Sequence, residues 1–206
     1  MDFDVGDVAA LFTQADGSYR FARWGRPIVP VVFGTDDATL AVIKGAIEAV
    51  VTLAGHKMAL TDPELGANLM LFCIREWAEL PPVPGLDHLV PGLGPLCDRL
   101  AAQNANQYRL FRRDAAGAIK AVIVFLRMDD ALSAMAAEDL ALLQAVEAIC
   151  LWSDRAFVGQ APLAQVAGRG VLRPQIAAVI RAAYDPVMPV STDDPSHALR
   201  LHARLR

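Results

Sequence analysis

The sequence predicts an α+β protein with a mixed sheet that includes a β-hairpin, and with helices concentrated in the C-terminal half. Three observations predict it. Residues 27–74 read as strand, helix, strand. Residues 107–127 read as two strands around a turn. From residue 133 onward helix formers prevail and strong breaks are few.

The first strand is 27–34, a β-branched run bounded by Gly and Pro, in which Pro30 removes a ladder donor and so points to an edge or a bulge. Thr35, Asp36 and Asp37 then supply caps and negative charge for a helix start. Leu40, Ile43, Ile47, Val50, Val51 and Ala54 recur at helical spacing up to Gly55, a suitable residue just past a helix end. Residues 68–74 are continuously apolar over strand length, as in a strand covered on both faces, and a right-handed crossover makes it parallel to the first. Residues 80–95 are rich in Pro and Gly, hold no regular element for long, and are apolar enough to pack as a compact loop. Residues 107–113 and 119–127 flank the turn 114–117 as a hairpin. Helices are expected from 133 to about 152, from Pro174 to Tyr184, and from Pro195 to the end, with Arg200, Arg204 and Arg206 suiting that last C-terminus. The central strands of the sheet should be Leu69–Ile74 and 122–126, with the 136–152 helix, Leu143 included, packed on them.

Composition narrows the function classes. The chain has 206 residues, 54% hydrophobic and 20% charged, with no internal repeat, and reads as a single domain over 1–206 with its C-terminal helical part at 133–206. A chain of this size needs no disulfide or metal to hold a core. Its apolar runs are too short to span a membrane. Nineteen Lys and Arg against 23 Asp and Glu give a net charge of −4, which argues against a nucleic-acid binder. Cys73, Cys97 and Cys150 are spaced as reduced thiols, and residues 1–7 lack the basic and apolar segments of a signal peptide, so a cytoplasmic location is expected.

Motifs that carry chemistry are missing. There is no Gly-x-Ser-x-Gly, phosphate loop, dinucleotide fingerprint or His-Glu-x-x-His, so no cofactor and no metal are expected. His197 and His202 stand five apart and face different sides of a helix; with His56 and His88 they read as surface or capping residues. Cys73 and Cys150 lie in apolar elements, which leaves Cys97 as the most exposed thiol and a weak nucleophile candidate. Glu76 and Glu79 follow a buried strand, where α/β sites gather, although a solvated face accounts for them as well. Trp24 and Trp77 read as core anchors. The helix over 138–154 is apolar nearly all round, and only Gln144 and Glu147 interrupt it. Two such polar groups need partners or a cleft, and a buried Glu147 is a candidate acid or base.

Three segments carry a resemblance: the strand after Gly117, this helix ending in Trp152-Ser153-Asp154, and a helix ending in Tyr184-Asp185-Pro186. Their succession is similar to an uncharacterised proteobacterial domain family related to zinc metallopeptidases, whose members show a Gly-x-Ile strand, a His-Glu-Glu helix and a closing Leu-Tyr-Asp-Pro. With Asp154 as the family's final Asp, its His-Glu-Glu falls on Leu142, Leu143 and Gln144, its Gln on Glu147 and its Gly on Cys150. The resemblance therefore implies a zincin-like fold whose active helix has become core, with no catalytic residue carried over. Three functions follow as expectations. The first is a non-catalytic domain acting through protein–protein interaction. The second is a hydrolase with an unrecognised acid–base or thiol site at Glu147, Glu76 or Cys97. The third is a structural subunit of an oligomer, associating through 158–171.

Overall fold

A computed structural model describes residues 3–205 of the chain; Arg206 of the expected last helix and the first two residues of the N-terminal stretch lie outside them. It opens on an element that the hydrophobic pattern does not announce, α1 (Val5–Ala10). There Asp4 accepts the Asp7 N–H, and the Asp7 carboxylate accepts the Asp4 N–H in return. β1 (Phe21–Ala22) leads to β2 (Pro30–Phe33), α2 (Asp37–Leu53) and β3 (Leu69–Ile74). The Asp36 carboxylate caps α2 through the Thr39 N–H at 2.7 Å. β2 and β3 pair in parallel from Pro30 opposite Leu69 to Phe33 opposite Phe72, and Pro30 lies on an edge strand, as its missing N–H requires.

Beyond a 3-10 turn (Trp77–Glu79), the Pro/Gly-rich stretch differs from expectation. It carries α3 (Leu86–Leu89) and the start of α4 (Leu93–Ala102). Pro95 is tolerated because it sits in the first turn of α4, where an N–H has no helical partner to lose. The segment packs on the protein, burying Leu80, Leu86 and Val90. β4 (Gln107–Arg113) and β5 (Ile119–Arg127) form the expected antiparallel hairpin, and β5 pairs in parallel with β3. The sheet order is thus β2-β3-β5-β4, with β3 and β5 central. Alternation along β5 splits the core. Val122, Val124 and Leu126 join α2 and the later helices on one face, while Ile123 and Phe125 join Trp77, α3 and α4 on the other.

The C-terminal half departs most from its expected form. After α5 (Asp130–Ser133), α6 spans Ala137–Ile149 and stops before Trp152, because Cys150 is extended and pairs with Arg23. Along α6 the buried residues are small or polar, Ala141, Gln144, Ala145 and Ala148 beside Val146 and Ile149, whereas Leu143 is half-exposed. The expected burial of Leu143 is thereby corrected. A helix lying close against α2 presents small side chains where the two backbones approach. Between the expected helices, residues to which the sequence pattern assigned no element form a second hairpin, β6 (Leu163–Val166) and β7 (Arg169–Leu172), closed by Ala167 and Gly168 at φ 51° and 77°. Two positive-φ residues in a two-residue loop match the twist of a tight hairpin. The chain ends in α7 (Pro174–Ala183), with Pro174 in its first turn, then β8 (Ser191–Thr192) beside β1, and α8 (His197–His202). Helices are therefore spread along the chain, and the longest, α2, lies in its first half. Among the described residues no helix is long and apolar enough to cross a membrane.

Candidate functional site

The cleft of interest lies between β4 and α6. Arg127 donates its N–H to the Asn106 carbonyl at 2.8 Å, and this bond sets the phase of the β4–β5 ladder. Antiparallel residues alternate between bonded and unbonded pairs, so the backbone N–H and C=O of Gln107, Arg109 and Phe111 point away from β5, to an edge with no further strand among the described residues. The side chains of Gln107 and Arg109 turn to the α6 face of the sheet. There Gln144 donates an amide N–H to Gln107 Oε1 at 3.0 Å and accepts from Arg109, and Arg109 forms an ion pair with Glu147. Gln144 and Glu147 stand three residues apart on α6 and so share the face turned to β4.

Both members of the ion pair are mostly buried, with side chains 18% exposed. Burial pushes the Glu147 carboxyl up, and the adjacent guanidinium opposes that rise. Burial also draws Arg109 down, but a guanidinium keeps its charge in proteins, and that charge favours the ionised form of the carboxylate beside it. Beside it opens a cavity of about 360 Å³ walled by Phe111, Trp152 and Phe157, with Ser153 and Asp154 at its polar end. Trp152 is fixed from behind. Its indole donates to the Val146 carbonyl at 2.8 Å, and its ring stacks on Phe12 at 5.2 Å. The Tyr184-Asp185-Pro186 turn supports the same helix end, since the Tyr184 hydroxyl donates to the Ile149 carbonyl at 2.7 Å and accepts from the Trp24 N–H.

Of the residues singled out from sequence, Glu147 and its neighbour Gln144 meet at the β4–α6 cleft. Leu142 and Leu143, at the aligned metal-binding positions, are half-buried and carry no lone pairs. Glu76 is exposed beyond β3, where the Glu79 carboxylate accepts its N–H at 2.9 Å in a local turn. Cys97 is buried in α4, and burial pushes its thiol up, which corrects its expected exposure; Cys73 is instead the more accessible thiol. His197 is also buried and not a surface group, with Nδ1 2.8 Å from the Tyr19 hydroxyl. Trp24 and Trp77 are core residues, as expected. Arg109 and Gln107 escaped notice in the sequence, although a signal existed. In the alternation of β4 they share a face with Phe111, and an arginine at such a position needs a buried counter-ion.

The donor set does not fit a zinc ion. On the α6 face turned to β4, Glu147 alone offers an anionic oxygen, it is held by Arg109, and that fixed cation repels a divalent one. Among the described residues no three His, Cys, Asp or Glu side chains group to hold a metal. No family model, curated protein or solved structure matches the chain.

Proposed function

We propose that this chain is a non-catalytic, zincin-like domain that acts by binding a protein partner along the open edge of β4. The observation that carries the reading is the pairing of that edge with a cleft whose helix is neutralised by the Arg109–Glu147 ion pair. A free antiparallel edge offers main-chain donors and acceptors to an extended segment, and an aromatic cavity beside it gives one side chain of that segment a pocket. The zincin-like part of the reading is supported by a mixed sheet whose one antiparallel strand lies at its edge, facing a buried helix. The hydrolase alternative loses ground because Glu147 is committed to Arg109, Cys97 is buried and Glu76 lies outside the cleft.

A photo-crosslinking residue at position 107 tests the reading in extract of the native host. The expected result is a discrete partner captured through 107 and not through 75, and lost when Phe111→Pro removes an outward N–H from the edge. Phe111→Lys, which puts a charge into the cavity beside the edge, serves as a second variant if Phe111→Pro is unfolded by circular dichroism. Capture that ignores both variants, or metal-dependent peptide hydrolysis by the purified chain, overturns the reading.

An oligomer subunit is the second reading, favoured by Val158, Val166 and Val171, which stand 81%, 56% and 46% exposed around the β6–β7 hairpin.

A further inference from the structure

On α6, the N-terminal side of Gln144 borders a second cavity, of about 380 Å³, at the C-terminal ends of β2, β3 and β5. Its floor is buried and apolar, formed by Ile43, Leu71, Leu126, Leu132 and Ala141. Its rim is exposed and polar, with Asp36 and Ser133 facing solvent. Gly34 lines the cavity. It has φ +80°, and a Cβ there would come within 2.0 Å of the Cys73 carbonyl, so the exit of β2 lies directly on β3 with no side chain in between. A deep apolar hole with few polar groups, outside the carboxyl ends of parallel strands, is the usual form of a small-molecule site.

The polar groups select the ligand. Gln144 spends one amide N–H on Gln107 and has a second to offer an acceptor. Asp36, ionised and held down by the Thr39 N–H and hydroxyl, disfavours an anion at the rim. A cavity of about 150 Å³ accommodates benzene, so this one takes about fifteen non-hydrogen atoms.

We infer that this cavity binds a small neutral apolar molecule carrying one hydrogen-bond acceptor, such as a medium-chain ketone, ester or alcohol. The site is distinct from the β4 edge, and its test needs no protein partner. The probe is 2-decanone, with decanoate as its anionic counterpart, added to the full chain labelled at the methionine methyls. Met128 and Met135 line the cavity; Met188 lies outside it. The expected result is a saturable shift of Met128 and Met135 with Met188 unmoved, and a several-fold slower reaction of the cavity thiol Cys73 with a maleimide. Decanoate should bind at least about tenfold more weakly, since burying a carboxylate without a partner is costly. Leu140→Trp and Thr39→Trp each fill the cavity from a different wall and should abolish the shift. Whichever variant retains the parent's circular dichroism and Met188 signal is the one to read. No saturable shift, a shift that survives filling, or decanoate binding as well as the ketone overturns the inference.

Discussion

At the residue scale, His197 and Arg109 show how burial converts charge into stability. The His197 imidazole is 2% exposed, lies 4.3 Å from the Phe21 ring centroid, and has no partner at Nε2 among the described residues. Burial, reinforced by Arg200 and opposed by Asp194, pushes it down to about 4. Unfolded, the same group titrates near 6.5, so between these values the unfolded chain binds more protons than the folded one. Stability is therefore full above about pH 6.5 and falls as pH drops toward 4, by about 3 kcal/mol from this group. His56, also lowered by burial, adds to the loss in the same direction, whereas Asp62 lies below that window. Burial raises its carboxyl, but the Leu65 and Glu64 N–H groups, Asn68 and Arg26 outweigh this and hold it at about 2. Urea midpoints at pH 7.5 and 5 should differ clearly in the parent and much less in His197→Gln; equal slopes would remove His197 as the cause. For the ion pair, Glu147→Ala leaves a mostly buried guanidinium unpaired and should cost about 2–4 kcal/mol. The double change to Arg109→Met and Glu147→Leu should recover much of that loss in the same denaturation assay. An additive double variant would show that the two side chains do not act as a pair.

At the element scale, α6 is the beam on which cleft and cavity are built. Its core side is made of Ala141, Ala145 and Ala148 with Val146 and Ile149, so its packing energy sits in few side chains. Ile149→Ala should cost about 2–5 kcal/mol, by lost burial and the space left behind. Leu143→Ala, on the half-exposed side, should cost less than about 1.5 kcal/mol by the same logic. Chemical denaturation of the two variants side by side decides the orientation of the helix; equal costs would mean that α6 is rotated from the arrangement described.

For the whole molecule, the four-stranded sheet of the described residues has β2 and β4 at its edges, and the β6–β7 hairpin holds two exposed valines, Val166 and Val171, with exposed Val158 shortly before it in sequence. Exposed apolar surface of that kind promotes association, and a specific interface buries at least about 1,000 Å². Sedimentation at micromolar concentration is expected to show a dimer, and Val166→Lys or Val171→Lys to return it to monomer. A parent chain that is already monomeric would remove the oligomer-subunit reading while leaving partner binding at β4 to its own test.

What the sequence determined by itself was whatever rests on local periodicity and punctuation. The β2–α2–β3 unit, the β4–β5 hairpin and α7 could each be read from apolar spacing, caps and turn residues within one window. Glu147 and Gln144 stood out for the same reason, as two polar positions on a helix otherwise apolar. Local patterns stop at the length of an element, and the rest depended on which elements meet. Arg109 is one charged residue on an alternating strand until β4 is laid against α6, which pairs it with a carboxylate 38 residues later in the chain. Cys97 looks accessible beside Asp98 and Arg99 until α4 packs against the sheet and buries it. Helix α6 reads as leucine-rich core, yet the close approach of α2 turns its alanines inward and leaves Leu143 half-exposed. The tertiary structure decided these because burial and ion pairing are set by neighbours distant in sequence, whose identity no spacing encodes.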